Sequence, residues 1–536
     1  MQRGETDPAV QRDQGRVPFD VVPNLDYRVD QSADEEAVRR SRESNLDGQA
    51  RRQSKDEESG VTAMGDDNVN EKEFEVTWDG DDDPMNPRSM PYARKWIIVI
   101  IVSASSLCVT CTSALYTSTY AQLEPEFGCS RIVATLGLSL FVMGLGCGPM
   151  VMSPLSEFYG RRPIYIASYA FFLIWLIPCA VAQNIATMLV ARFFDGLAGS
   201  AFLSVAGGTV GDLFPKTQLS LPMAFYTAAP FVGPEIGPIV GGFINYNTSW
   251  RWTFYVLLIW SGIMLAAIIF LVPETYHPVL LRKKAITLRK DTGNQAWRAP
   301  IENMDESVFR TVAWSCVRPF QLLFLEAMCL NLCILSAILL GILYLFFGAF
   351  PLVFENNHGF VLWQTGLTFI GIFVGMVTGV SCDPIWRRNY NRLVTKNGGV
   401  SEPEFRLPPT ILGAILVPIG IFGFGWTTYS SVHWIVPIVF SGIFGLGNIF
   451  VFSGIFTFLV ETYPLYAASA LAANSFARSS FAAAFPLFGV QMYNKLGYQW
   501  VGGRNSKIGH DGLRDAKSVI GVVIAGLPST CHGTIS

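Results

Sequence analysis

The chain has 536 residues, half of them hydrophobic and only 15% charged, with a formal net charge of −3 and a mean hydropathy of +0.34. That composition excludes an ordinary soluble enzyme, and the near-neutral charge is uninformative about partners because it is segregated along the chain. No catalytic constellation, metal-ligand cluster or phosphate-binding loop stands out, and the five His are scattered; no enzyme activity, cofactor, metal or nucleic-acid partner is expected, and ATP drive is not expected either.

Residues 1–92 are polar and acidic with few aromatics, as in Asp56-Glu57-Glu58 and Asp81-Asp82-Asp83. Such a segment buries too little apolar surface to offset chain entropy and reads as a disordered tail. It has no apolar core of a signal peptide. From Trp96 the pattern changes: no Asp, Glu, Lys or Arg occurs before Glu124, and similar runs recur until about residue 496. A bilayer core of about 30 Å needs roughly 20 apolar residues per helix. Spans are expected near 96–120, 133–155, 164–183, 187–213, 221–244 and 252–272. A second group is expected near 321–350, 361–382, 408–426, 435–459 and 467–490. The domain reading is a tail (1–92), a six-helix bundle (93–275), a polar connector (276–318), a second helix bundle (319–500) and an atypical end (501–536). After Trp500 the only apolar stretch, Val519 to Leu527, is too short to cross, so the twelfth helix is read as missing or altered. The fold class is therefore an all-α polytopic membrane protein in the lipid bilayer.

Basic residues set the orientation. Arg94-Lys95, Arg161-Arg162, Lys216, the connector and Arg387-Arg388-Arg392 share one side, which places the tail and connector in the cytoplasm. Asn247-Thr248-Ser249 is a glycosylation sequon in a short outer loop. The ten Cys fall mostly within spans, so no disulfide framework is implied. Cys108-x-x-Cys111 reads as a metal or redox pair, or as small residues in a helix interface.

The loop after the second span ends in Glu157-Phe-Tyr-Gly160-Arg161-Arg162. It reads as a latch: Glu157 against a helix N-terminus, and Arg161 paired with Asp212 at the end of the fourth span. The second half echoes it with Asp383-Pro-Ile-Trp-Arg387-Arg388 and with Glu461. Arg192 lies inside the fourth span, where a lone cation costs about 2.5–3.5 kcal/mol on insertion scales. Asp195, three residues on, shares its face. The fifth span carries Gly233-Pro234-Glu235-Ile-Gly237-Pro238-Ile-Val-Gly241-Gly242. Glycine every fourth residue makes a ridge for close helix contact, and proline bends the helix. Glu235 and Glu326 are acids within spans and candidates for proton exchange, although Glu326 also fits a snorkelling position at the cytoplasmic end. Tyr116, Phe225, Tyr226, Tyr344, Phe346 and Phe347 are candidates for an aromatic cavity or for plain packing.

These motifs resemble those of the major facilitator superfamily, in its fungal drug:proton antiporter branch. Val76-Thr-Trp78-Asp79-Gly80, Trp250-Arg251-Trp252, Pro273-Glu274-Thr275-Tyr276 and Arg318-Pro319 carry the same resemblance, which covers about residues 75–500. It implies a major facilitator fold of two six-helix bundles. It implies a proton-coupled exporter of amphipathic organic compounds, such as a secondary metabolite, toxin or drug, working as a monomer in the cell membrane. Arg192, Asp195, Glu235 and Glu326 would then carry the coupling. A polyamine exporter, a facilitator or importer on the same fold, and a non-transporting remnant stay open as alternatives.

Overall fold

The computed structural model describes residues 74–80, 83–215, 218–303, 308–463 and 467–496. Most of the expected tail, Lys216 and the atypical segment after Trp500 lie outside the described residues. The described chain is all-helical apart from one bridge between Glu75 and Arg298. We number thirteen helices: α1 Tyr92–Phe127, α2 Arg131–Tyr159, α3 Arg161–Val181, α4 Ile185–Leu213, α5 Ser220–Asn247, α6 Arg251–Leu271, α7 His277–Thr292, α8 Val308–Leu325, α9 Ala327–His358, α10 Leu362–Lys396, α11 Pro408–Trp426, α12 Ile435–Thr462 and α13 Ala467–Leu496. Nine of them are apolar and long enough to cross a membrane by length and composition alone.

Local chemistry sets several boundaries. Gly128 adopts φ +59° and ends α1, and Gly160 at φ +95° separates α2 from α3. Asn184 caps α4 by accepting the Thr187 N–H at 2.8 Å. Three expectations shift. The seventh span was expected from residue 321 but begins at Ala327, because α8 is a separate helix ending at Leu325. The connector is helical too, through α7. The eighth span continues past its expected end as the polar segment Asp383–Lys396.

Packing sorts the helices into two equivalent sets. In the first, α1 packs on α5, α2 on α4, and α3 on α4 and α6. In the second, α9 packs on α13, α10 on α12, and α11 on α12. The order of partners repeats, as expected of two bundles with shared ancestry. The seams between them are α2 against α13 and α5 against α10. Burial separates central from peripheral helices. In α1 and α9, 78% and 72% of the apolar window is buried, against 28% in α6, whose Ile259, Ile263 and Phe270 point outward. In hydrocarbon such exposed apolar residues are solvated by lipid rather than penalised by water.

Candidate proton and substrate site

The glycine ridge of α5 lets two helices approach it. A Cβ at Gly237 would sit 2.7 Å from the Leu115 backbone N, and one at Gly241 would sit 2.7 Å from Ser118 Oγ. A Cβ at Gly233 would strike Thr110. All three therefore press α5 onto α1. Gly242 faces the other way: a Cβ there would meet the Leu362 carbonyl of α10 at 3.0 Å. Pro234 lines the cavity between the halves, and the Pro238 carbonyl meets Gly366 of α10. The motif thus binds α5 to its own bundle and to the opposite one.

Arg192 and Asp195 are completely buried, with Arg192 Nη1 3.6 Å from Asp195 Oδ2. Close contact between α2 and α4 encloses them. A Cβ at Gly144 would lie 2.7 Å from Leu197 N, and Gly196 abuts the Phe141 carbonyl. Arg192 Nη2 donates to the Thr112 carbonyl at 3.2 Å. Its Cζ lies 4.2 Å from the Phe141 ring centre and 4.7 Å from that of Tyr116. Tyr116 is fixed in turn by donating to the Ala134 carbonyl at 3.0 Å. Among the described residues, Arg192 Nε and both Asp195 oxygens have no hydrogen-bond partner. Glu235 on α5 is also fully buried, and neither of its oxygens has one among the described residues.

Between the bundles lies a narrow cavity of about 40 Å³, bordered by Thr110, Leu203, Pro234, Leu343, Tyr344 and Arg478. One water needs roughly 10–15 Å³ of such space, so this cavity suits a few waters and an organic solute requires the bundles to part. Tyr344 crosses the divide, its hydroxyl 3.1 Å from Ser113 Oγ of α1.

The other aromatic candidates separate. Tyr226 is buried in the first bundle and donates to the Phe202 carbonyl at 3.0 Å. Phe225 is 47% exposed on the outer face beside Trp96, so it does not line the cavity. Phe346 and Phe347 are packing residues of the second bundle, Phe346 against Phe350, Phe424 and Phe444, and Phe347 against Phe369. Glu326 is exposed at the break between α8 and α9, which is the snorkelling position rather than a buried one. Asn247 is exposed at the C-terminal end of α5.

At the junction of α2 and α3, Arg161 Nε lies 3.2 Å from Asp212 Oδ2, joining α3 to α4. The acid at the N-terminus of α3 is not Glu157, whose side chain is exposed. It is Glu274, which accepts the N–H of Arg161 at 2.8 Å and of Arg162 at 3.2 Å. Glu274 also accepts the N–H groups of Thr275 and Tyr276, each at 3.0 Å. Gly160 is required here twice over, since its φ is positive and a Cβ would collide with the Glu274 carboxylate. Arg162 Nη2 donates to the Ile269 carbonyl at 2.8 Å. His277 Nε2 lies 3.0 Å from the Asp212 carbonyl and ties the connector to the same corner.

The echo in the second half is built differently from its sequence expectation. Arg387 pairs with Asp383 one turn away at 3.1 Å. Glu461 pairs instead with Arg406, just before α11, at 2.6 Å. Arg406 precedes the third span of its bundle as Arg161 begins the third span of the first, so Arg406–Glu461 is the true counterpart of Arg161–Asp212. Glu274 and Arg406 were both missed as latch residues. Their signal in sequence was weak: an acid in a Pro-Glu-Thr turn and a base before Leu407-Pro408-Pro409.

Outside the candidate spans, residues 74–80 and 83–89 form a strap across α7. Val76 N donates to the Arg298 carbonyl at 3.0 Å and Arg298 N to that of Phe74 at 3.1 Å. Lys284 Nζ lies 2.6 Å from Asp83 and 2.7 Å from Asp79. Burial works against the Asp83 charge. The Lys284 ammonium and the N–H groups of Met85 and Asp79 outweigh it and hold that carboxyl below its ordinary range. Burial likewise disfavours the Lys284 charge, and the two aspartates raise it above its ordinary range.

Two repeated bundles of apolar helices, with ionisable groups sealed in one and a cavity at their boundary, define a polytopic membrane transporter. The chain belongs to the Major Facilitator Superfamily, whose pattern matches residues 102–486. It is 57% identical over 438 residues to "Efflux pump atB" of Aspergillus terreus, covering 81% of this chain and 84% of that protein. It is 42% identical to "Probable drug/proton antiporter YHK8" of Saccharomyces cerevisiae, covering 81% and 85%. It is 40% identical to "Major facilitator superfamily multidrug transporter mdrA" of Aspergillus fumigatus, covering 80% and 71%. Among solved structures, the human organic anion transporter MFSD10 superposes with a TM-score of 0.54 at 17% identity, covering 82% and 99%. The xylose transporter XylE of E. coli, partially occluded and inward open, superposes with 0.53 at 18%, covering 75% and 96%. Both likenesses concern the fold.

Proposed function

We propose that this chain exports amphipathic organic small molecules in exchange for protons. It works in the cell membrane by alternating access, with its N-terminal tail and connector on the cytoplasmic side. The observation that carries this reading is the set of buried ionisable groups in the first bundle. Arg192 and Asp195 face each other in α4 at 0% exposure, and Glu235 in the neighbouring glycine-proline helix has no hydrogen-bond partner among the described residues. Ionised groups are expensive at this depth unless paired, so groups that alternate between carrying and releasing a proton are functional candidates. The contact of α5 with both bundles supports exchange over uniport, because it leaves little room for a leak beside the substrate. The identity to fungal efflux pumps and a drug/proton antiporter supports the direction. The basic residues Arg94, Arg161, Arg162, Arg282 and Arg387 at one set of helix ends support the orientation.

The test is dye efflux from a pump-deficient yeast expressing the full chain, with and without a protonophore, beside Arg192→Ala. Efflux that the protonophore abolishes and the variant lacks would support the reading. Protonophore-insensitive efflux, or an Arg192→Ala protein that pumps normally, would sink the coupling.

A further inference from the structure

One charged group has no place in that account. Arg478, on α13, borders the cavity between the bundles. Its Nε is buried without a hydrogen-bond partner, and no carboxylate pairs with it among the described residues. What it does touch is aromatic: its Cζ lies 5.8 Å from the ring centre of Phe231 on α5 and 5.4 Å from that of Phe456 on α12. The other enclosed arginines are paired. Arg161 has Asp212 at 3.2 Å, Arg192 has Asp195 at 3.6 Å, and Arg406 has Glu461 at 2.6 Å. A guanidinium left without an anion at membrane depth is a costly feature, and ring contacts offset only part of the cost. Its planar fork matches a carboxylate by two parallel hydrogen bonds.

We infer that Arg478 is the substrate anchor and that the exported compounds are organic anions, aromatic or amphipathic molecules bearing a carboxylate or an equivalent acidic group. This deepens the export reading and rests on it. The surroundings suit such a ligand. Phe231 borders the cavity with an apolar ring, Tyr344 brings a hydroxyl to it, and Arg478 supplies the one cation among the described residues that border it. The anchor belongs to the second bundle and Phe231 to the first, so a bound anion spans the boundary that must open. Polyamines and other cations are disfavoured by the same charge.

Fluorescein and rhodamine 123 test this, since they share a ring scaffold and differ in charge. Their binding to the purified full-length protein in detergent is followed by fluorescence anisotropy. Fluorescein should bind wild type at least about tenfold more tightly than rhodamine 123. Arg478→Gln should weaken fluorescein by about tenfold or more, as expected for losing a charge-assisted pair, and leave rhodamine 123 no weaker. Arg478→Lys keeps the charge without the fork and should fall between. If Arg478→Gln fails to fold, the lysine variant decides, and undiminished fluorescein affinity there overturns the anchor. A preference for rhodamine 123, absent fluorescein binding in wild type, or unchanged binding in Arg478→Gln also overturns it. Fluorescein binding with protonophore-insensitive efflux would reject proton exchange and leave the anion site standing.

Discussion

Arg192 and Asp195 show how much a single residue type reveals when its surroundings are uniform. In a run of apolar residues a charge is conspicuous, so both were legible in the sequence, as was their shared face. Their enclosure was not legible, because it depends on Gly144 and Gly196 bringing α2 and α4 together. Breaking a buried pair leaves one uncompensated charge and costs about 3–5 kcal/mol, whereas removing both charges costs less. Arg192→Ala is therefore expected to lower the thermal unfolding temperature markedly, and Arg192→Ala/Asp195→Ala should recover part of the loss. A double variant less stable than either single one would show that the pair is not an energetic unit. Phe225 and Phe346 failed as cavity residues for a related reason. In a membrane span, an aromatic facing lipid, one packed between helices and one facing substrate have the same sequence signal.

At the scale of elements, the spans were legible from charge-free length, and the boundary that moved lies where a polar helix meets an apolar one. Residues 308–325 are amphipathic enough to blur into the seventh span, and only the break at Glu326 separates them. The cap of α3 was misread because Glu157 is near in sequence while Glu274 reaches Arg161 across 113 residues. Glu274→Ala removes the acceptor of four backbone N–H groups and should destabilise the protein by about 2 kcal/mol or more, since unsatisfied buried donors cost about 1–3 kcal/mol each. Glu157→Ala should be near neutral. Thermal unfolding of the two variants side by side checks this, and the reverse ranking would restore Glu157 to the latch.

The strap makes a prediction at the same scale. A carboxyl held low, as at Asp83, contributes stability that is full above its ordinary pKa of 3.8 and lost as pH falls through the lowered value. An ammonium held high, as at Lys284, contributes stability that is full below 10.5 and lost as pH rises through the raised value. Docking of the strap should therefore be insensitive to pH between those limits. Limited trypsin cleavage at Arg88 should stay slow at pH 7 and pH 9 and become fast in Lys284→Met. Rapid cleavage of wild type at pH 9 would show that the contact does not hold the strap.

For the whole molecule, the repeat of two bundles was legible from six spans, a basic connector and further spans, but the seams were not. Which helices face each other follows from tertiary contacts such as Ser480 Oγ on Met143 Sδ at 3.9 Å. If transport needs the bundles to rock, a bridge across this seam must stop it. Met143→Cys/Ser480→Cys is expected to lose efflux on mild oxidation and regain it with reductant, while each single variant is unaffected. Full transport by a demonstrably cross-linked protein would contradict rocking at α2 and α13.

The Arg406–Glu461 pair has a bearing on history as well as on stability. The two halves no longer share the short string of residues around Gly160, yet the same kind of ion pair joins the third and fourth helices of each. A gene duplication leaves two copies of every part, and drift erases those that do not matter. What persisted here is a position in space occupied by opposite charges, even though the residues supplying it changed. Matching the halves of this chain by their residue strings alone would pair Arg161 with Arg387; matching them by their ion pairs sets Arg161–Asp212 beside Arg406–Glu461.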